Sequence, residues 1–216
     1  MFEVPQTPEY PGIREALAAV DSVMTFPAMP TIPIQIVPVI KDGSAGAYVR
    51  QRGEALRRIE IAEDAEYPEL TAIHEVAHSL DDGGLSETEG WASETDSRLE
   101  PLRQAWENTG AVRALRAGLE TDKMMATLPN GGTFAFPLLP EERENCRYYL
   151  QGRELFARSY AQYIAVKSQN RVLLGQVRRR RESVEGRFYH VQWTASDFQA
   201  VSEAFDTLWK ELRWLR

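Results

Sequence analysis

The chain holds only 3 histidines, and two of them fall in one pentapeptide, His74-Glu75-Val76-Ala77-His78. Residues four apart on an α-helix stand one above the other, so both imidazoles can reach a single metal ion. Glu75 is turned from that pair by roughly 100° per residue and cannot easily join the same coordination shell. It is placed instead to take a proton from water at the metal. Zinc held by three protein ligands keeps a fourth position open, and water there becomes a usable nucleophile near neutral pH. HExxH on a helix is therefore the pattern of zinc-assisted hydrolysis.

The surrounding residues predict the helix that this chemistry needs. Glu66-Tyr67-Pro68-Glu69 reads as its start, with Pro68 in the first turn, where a missing N–H costs nothing, and acidic groups near the positive end of the dipole. Leu70, Ile73, Ala77 and Leu80 share one face, His74 and His78 border it, and Asp81-Asp82-Gly83-Gly84 is expected to end the helix.

A third ligand must come from elsewhere, and three sources present themselves. His190 is the remaining histidine, in the alternating, strand-like run Arg187-Phe188-Tyr189-His190-Val191-Gln192-Trp193. The acidic cluster Glu87, Glu89 and Glu94 follows the motif closely, although such runs are usually solvated surface. Glu154 is the strongest. It begins a segment, Glu154 to Val166, that is apolar on nearly every side and reads as a buried helix. Glu154, Ala157, Ala161 and Ala165 share one stripe, whose small residues let the helix lie close to another. A carboxylate in such a place needs a metal or a charge partner to offset its desolvation, and the dipole with Arg153 or Arg158 is the non-metal alternative.

HEVAHSLD followed much later by RELFARSYAQY resembles the gluzincin metallopeptidases of the lethal-factor type. It resembles still more the related zincin domains of large polyvalent proteins in phages and other mobile elements. Carried over residue by residue, the resemblance makes His74 and His78 the imidazole ligands of Zn2+, Glu75 the general base and Glu154 the third ligand. It implies a zincin-like fold. Family members also carry an oxyanion-stabilising tyrosine shortly before the ligand helix, for which this chain offers Tyr148 and Tyr149. The chain departs from the lethal-factor pattern at Arg158, where a second Glu stands in those enzymes.

With 216 residues, 43% hydrophobic and 10% aromatic, the chain can bury a sizeable core, and we expect one domain over 1–216. The net charge of -7 argues against nucleic acid as the main partner. The run Arg178-Arg179-Arg180-Arg181 is a local exception, read as a solvated loop beside Glu182 and Glu185, with a phosphate-binding or partner-docking patch as the alternative. Cys146 is the single cysteine, so no intrachain disulfide forms and a reducing compartment is expected. No leader is visible at Met1-Phe2-Glu3-Val4-Pro5-Gln6, and no apolar run approaches the ~18 residues of a membrane span. A cytoplasmic location follows as an expectation, in a bacterial host or with a phage particle assembled there.

The fold class expected is α+β: a small mixed sheet, then the HExxH helix, then a mainly helical C-terminal part. A helix over roughly 13 to 24 precedes short strands at Ile34–Ile40, Ala47–Val49 and Arg58–Ala62, bounded by turn residues such as Asp42-Gly43-Ser44. Ile59 and Ile61 should face the core, and the resemblance to zincin folds implies that the strand before the helix is the sheet edge that takes extended peptide by strand addition, open or covered. The interval from about 83 to 151 reads as a helical insertion that walls the cleft. It has helical patterns at Leu99–Trp106 and Ala111–Leu119 and a loop at 129–137. Phe134 and Phe136 are there either tucked against the domain or lining a substrate pocket. Phe198, Val201, Phe205, Leu208 and Leu212 describe an amphipathic C-terminal helix, with Trp209 and Trp214 off its stripe and open to a protein partner.

These residues lead first to a zinc metallopeptidase acting on a peptide or protein substrate. The alternative is a zinc-stapled structural or assembly protein of a phage or mobile element. Hydrolysis of a non-peptide amide is a third reading. Retention of Glu75 favours the first, since a purely structural site has no need of a base.

Overall fold

The sheet is built before the helix that carries the histidines. The computed structural model describes residues 2–3, 10–27, 31–50, 57–85, 90–127 and 132–216. Glu87, Glu89 and the loop positions 129–131 lie outside the described residues. After β1 (Phe2–Glu3), α1 (Pro11–Val23) starts at Pro11 and buries Ile13, Ala16, Val20 and Val23. Then follow β2 (Ile32–Val37), β3 (Gly46–Arg50) and β4 (Arg57–Ala62). The four strands form a mixed sheet in the order β1-β2-β4-β3, with β1, β2 and β4 parallel and β3 antiparallel to β4. Ile34 aligns with Ile59, and Ile34, Ile59 and Ile61 are fully buried, as the alternation requires.

One expectation about this sheet is corrected. The strand that directly precedes the HExxH helix, β4, is not an edge, because β2 pairs with one side of it and β3 with the other. The edge is β3, reached through the turn at 41–45.

α2 (Pro68–Ser79) carries His74-Glu75-Val76-Ala77-His78 through the middle of the molecule, between β3, β4, α1 and the later helices. It does not end where Asp81-Gly84 suggested. The chain continues through a π-helical turn, Leu80–Gly84, closed by the Leu85 N–H on the Leu80 carbonyl at 2.8 Å. The wider turn swings both aspartates inward. Asp81 accepts the backbone N–H and the hydroxyl of Ser93, each at 2.6 Å, and Asp82 accepts the Tyr48 hydroxyl at 2.9 Å and the Arg50 guanidinium at 2.5 Å.

The remainder is mainly helical: α3 (Ala92–Thr95), α4 (Glu100–Glu107), α5 (Gly110–Thr121), a hairpin of β5 (Lys123–Thr127) and β6 (Thr133–Pro137), α6 (Pro140–Tyr149), α7 (Gly152–Ser168), α8 (Arg171–Glu182), α9 (Val184–Tyr189) and α10 (Ala195–Glu211). Part of the 83–151 interval belongs to the main core, to which Ala92, Leu99, Leu102 and Trp106 contribute. Leu115, Met124, Leu138, Cys146 and Tyr149 form a second, smaller cluster with Val191. Phe136 packs on Phe188 with ring centres 4.5 Å apart, Phe134 stays partly exposed, and neither is among the residues walling the cleft at His74.

α10 buries Phe198, Val201, Phe205 and Leu208. Trp209 and Trp214 are not free for a partner as their position off the stripe suggested. They stack on each other at 5.7 Å and are buried. The chain end causes this: Trp214 N–H bonds the Trp209 carbonyl at 2.8 Å, and Thr25 N–H bonds the Trp214 carbonyl at 2.6 Å, folding the last residues back over the end of α1. Among the described residues no helix is long and apolar enough to cross a membrane.

Candidate metal centre

Two helices meet at the centre. The start of α2 is fixed from outside: Gln176 of α8 accepts the Leu70 N–H at 2.9 Å and donates to Glu69, satisfying an end that has no side-chain cap of its own. α7 lies against α2 through Ala157, Ala161 and Ala165, all buried, in the most extensive helix pairing of the molecule. The same stripe brings Glu154, in the first turn of α7, under the two imidazoles.

His74 Nε2 and His78 Nε2 are 3.1 Å apart, and Glu154 lies 3.4 Å from the first through Oε2 and 3.5 Å from the second through Oε1. Zinc ligands at ~2.0–2.2 Å and tetrahedral angles stand about 3.3–3.6 Å from one another; in this triangle the two Glu154 contacts match that spacing and the imidazole pair stands slightly inside it. Glu154 Oε2 and His78 Nδ1 are buried without a hydrogen-bond partner among the described residues. A buried carboxylate oxygen in that state is costly unless something else satisfies it, and a cation at the centre of the triangle does so. His74, His78 and Glu154 thus form a group able to hold a metal ion.

Their protonation fits a cation. Burial raises the Glu154 carboxyl, but the close approach and charge of His74 and the charge of His78 outweigh it and hold the group down at about 2. Burial, then the neighbouring His74, lowers His78 to about 3. An ionised carboxylate beside a neutral imidazole is the state in which both can ligate.

Glu75 is buried beside the triangle but outside it. Desolvation pushes its carboxyl up to about 7; Glu154 adds to the rise, while His74 and the Tyr48 backbone N–H act against it. That N–H belongs to the edge strand β3, which Gly46 allows to lie this close. A Cβ on Gly46 would stand 2.4 Å from Thr71 Cγ2 and 2.8 Å from Glu75 Oε1, so a side chain there would strike the carboxylate. A carboxyl group tuned near neutrality can take and return a proton within one reaction cycle.

The structure separates the remaining candidates. Tyr148 walls the cleft beside His74, Glu75 and Glu154, and its hydroxyl is near enough to Glu154 to feel that charge. Burial and the charges of Glu154 and Glu75 push that phenol well above its ordinary value, so it remains a donor. Tyr149, its neighbour, is turned to another partner, with its hydroxyl donating to Glu185. An oxyanion role is open to Tyr148 and not to Tyr149, because consecutive residues at a helix end point in different directions. His190 is removed from the centre. It caps the end of α9 in a left-handed conformation, φ 50°, and lines a different cavity with Asp197. The run 187–193 is no strand either: Gln162 of α7 takes both polar backbone groups of Trp193 at 3.0 Å, and Arg158 takes the Val191 carbonyl at 3.1 Å. Glu94 is exposed and is not part of the triangle.

Arg158, one turn beyond Glu154, is fully buried. Its guanidinium lies over the rings of Tyr149 and Trp193 at 5.0 and 5.2 Å and donates to the Tyr149 carbonyl at 2.5 Å. Burial lowers it to about 10, which leaves it a cation. One cleft residue carried no sequence signal, Trp91, whose ring meets His78 at 5.6 Å; Arg153, considered as a charge partner of Glu154, instead stacks on Trp91 at 5.5 Å. The chain matches no protein-family model, no curated protein and no solved structure.

Proposed function

We propose that this chain is a zinc-dependent peptidase with a zincin-like fold, in which His74, His78 and Glu154 hold the metal and Glu75 is the general base. One observation carries the reading. Three donors close enough to share one cation stand beside a fourth buried group, the Glu75 carboxyl, that does not ligate. A site that only stapled the fold would need the first three and not the fourth.

Zinc, when bound, supplies Lewis acidity and eases the ionisation of water. Glu75 takes a proton from the attacking water and returns it to the departing amine. The Tyr148 hydroxyl, protonated and next to Glu154, donates to the oxygen that gains charge at the scissile carbonyl. The edge strand β3 borders the same cleft through Gly46, Ala47 and Tyr48, which favours an extended peptide held along its backbone.

The test is zinc content and peptide cleavage for the wild type, Glu75→Gln and Glu154→Ala. Glu75→Gln is expected to keep zinc and lose about 10²- to 10⁴-fold in rate, while Glu154→Ala loses zinc. Stoichiometric zinc with no cleavage across a diverse peptide library would instead favour the structural or assembly role.

A further inference from the structure

The cleft has two sides, and only one of them was anticipated. His74, Glu75, Glu154, Tyr148 and Gly46 are shared between a lobe that runs toward Trp91 and a second cavity of about 350 Å³ that runs toward α8. That second lobe ends at Arg158, Arg180, Tyr149 and Glu185.

Arg180 belongs to the four-arginine run, which is not a loop. It forms the last turn of α8, and helical geometry splits the four side chains. Arg178 and Arg179 are exposed, with Arg179 over the Tyr67 ring at 5.9 Å, and Arg181 lies 3.5 Å from Glu182. Arg180 follows the buried Gln176 by four residues and so shares the face turned toward α2 and the cleft. Among the described residues neither Arg180 nor Arg158 has a carboxylate within ion-pair distance, and Arg158 Nε has no hydrogen-bond partner. Glu75 and Glu154 line the lobe on the side of the triangle, where they would face a bound cation, and Glu185, engaged by the Tyr149 hydroxyl, lines it at the α8 end. At that α8 end two guanidinium groups stand with the single carboxylate of Glu185, where low dielectric strengthens their pull on an anion.

We infer that this lobe is a carboxylate-recognising subsite, in which Arg180 binds a carboxylate of the substrate next to the scissile bond. The inference rests on the peptidase reading and names its substrate class: peptides that carry negative charge on one side of the bond, from an Asp or Glu side chain or from the free C-terminus. Arg158 contributes field from behind, since its own N–H groups are largely committed to backbone carbonyls. Arg180, partly exposed and without an ion-pair partner among the described residues, makes the contact.

Binding measured without turnover tests this apart from catalysis. Zinc-loaded Glu75→Gln protein is titrated calorimetrically with hexapeptides of one parent sequence. They are made as C-terminal acid or amide, and with Asp or Glu against Asn or Gln at each interior position. We expect one arm to bind about ten- to a hundredfold more tightly in its charged form. The acid-against-amide arm reports a C-terminal carboxylate, and the interior arm a side chain. Adding Arg180→Met, which keeps the aliphatic stem, should reduce that ratio to near one, and Arg180→Lys should restore part of it. Unaltered zinc content and circular dichroism certify that the variants are folded. Equal affinity for charged and neutral peptides, a ratio insensitive to Arg180, or no binding of any peptide overturns the subsite. If wild-type protein cleaves peptides without charge preference, the subsite fails and the peptidase reading stands. If nothing is cleaved yet binding depends on Arg180 and carboxylate, the peptidase reading fails and the subsite stands.

Discussion

Replacing Glu154 by Gln should remove most of the stabilisation that zinc gives the protein. In metal-free protein this carboxylate is 4% exposed, and one of its oxygens has no hydrogen-bond donor. Exchanging it for an amide of the same shape then removes a desolvated charge but also the imidazole contacts that hold this carboxyl down at about 2, two opposing effects on the metal-free fold. With zinc the carboxylate supplies one of three donors. Free zinc at a hundred times Kd stabilises the wild type by about 2.7 kcal/mol. At about 2–4 °C per kcal/mol for a chain of this size, that is a rise in Tm of about 5–11 °C. Losing a ligand weakens zinc at least as much as losing a group that orients one, taken here as about a hundredfold. The same zinc concentration then gives the variant about 0.4 kcal/mol, or about 1–2 °C. Scanning calorimetry of both proteins in chelator and in graded zinc measures the two shifts directly. The reasoning is refuted if Glu154→Gln rises with zinc as far as the wild type does, or if zinc leaves the wild-type Tm unchanged.

Asp81 is fully buried, and desolvation pushes its carboxyl up to about 7 despite the two Ser93 hydrogen bonds. The folded state therefore holds a proton that the unfolded chain releases near pH 4, so Asp81's contribution is complete below that pH and is lost as pH rises through 7. The loss amounts to at most about 4 kcal/mol, and urea midpoints of metal-free protein from pH 4 to 8 should fall less steeply in Asp81→Asn than in wild type. Gly46→Ala places a methyl group against Thr71 and Glu75, which should cost about 1–3 kcal/mol in urea unfolding. It should also depress peptide cleavage while zinc content stays stoichiometric; unchanged cleavage would mean that β3 does not set the position of Glu75. Arg158→Ala removes hydrogen bonds to two carbonyls and the contacts with two rings, an expected loss of about 2–4 kcal/mol in metal-free protein. Arg158→Met, which keeps most of the volume, should recover part of it by the same measurement.

The centre was legible wherever the signal lay within one helix. The spacing of His74 and His78, the outward turn of Glu75 and the stripe from Glu154 to Ala165 follow from helical periodicity alone, and the structure brings all four site residues together. The α+β order, the short strands and the core positions Ile59 and Ile61 followed from alternation and turn chemistry in the same way. Where a reading needed to know what lay across the gap, it failed. β4 looked like an edge because nothing in its residues records that β3 pairs with it. The alternation at 187–193 reads as a strand, whereas the chain ends α9 at Tyr189, turns at His190 and is then bonded at Val191 and Trp193 by Arg158 and Gln162.

The choice between Tyr148 and Tyr149 has the same origin. Two adjacent phenols are equivalent in sequence, and only the corner between α6 and α7 sends one to Glu154 and the other to Glu185. The arginine run likewise became four separate side chains once α8 was docked, with Arg180 alone sharing the cleft with His74 and Glu75. Trp209 and Trp214 were buried by a chain reversal that no periodicity encodes. The sequence by itself determined which residues could ligate and which could move a proton, because those properties are local and repeat with the helix. Tertiary structure decided which of the remaining polar groups face them, because burial and charge compensation depend on partners that helical periodicity does not bring together.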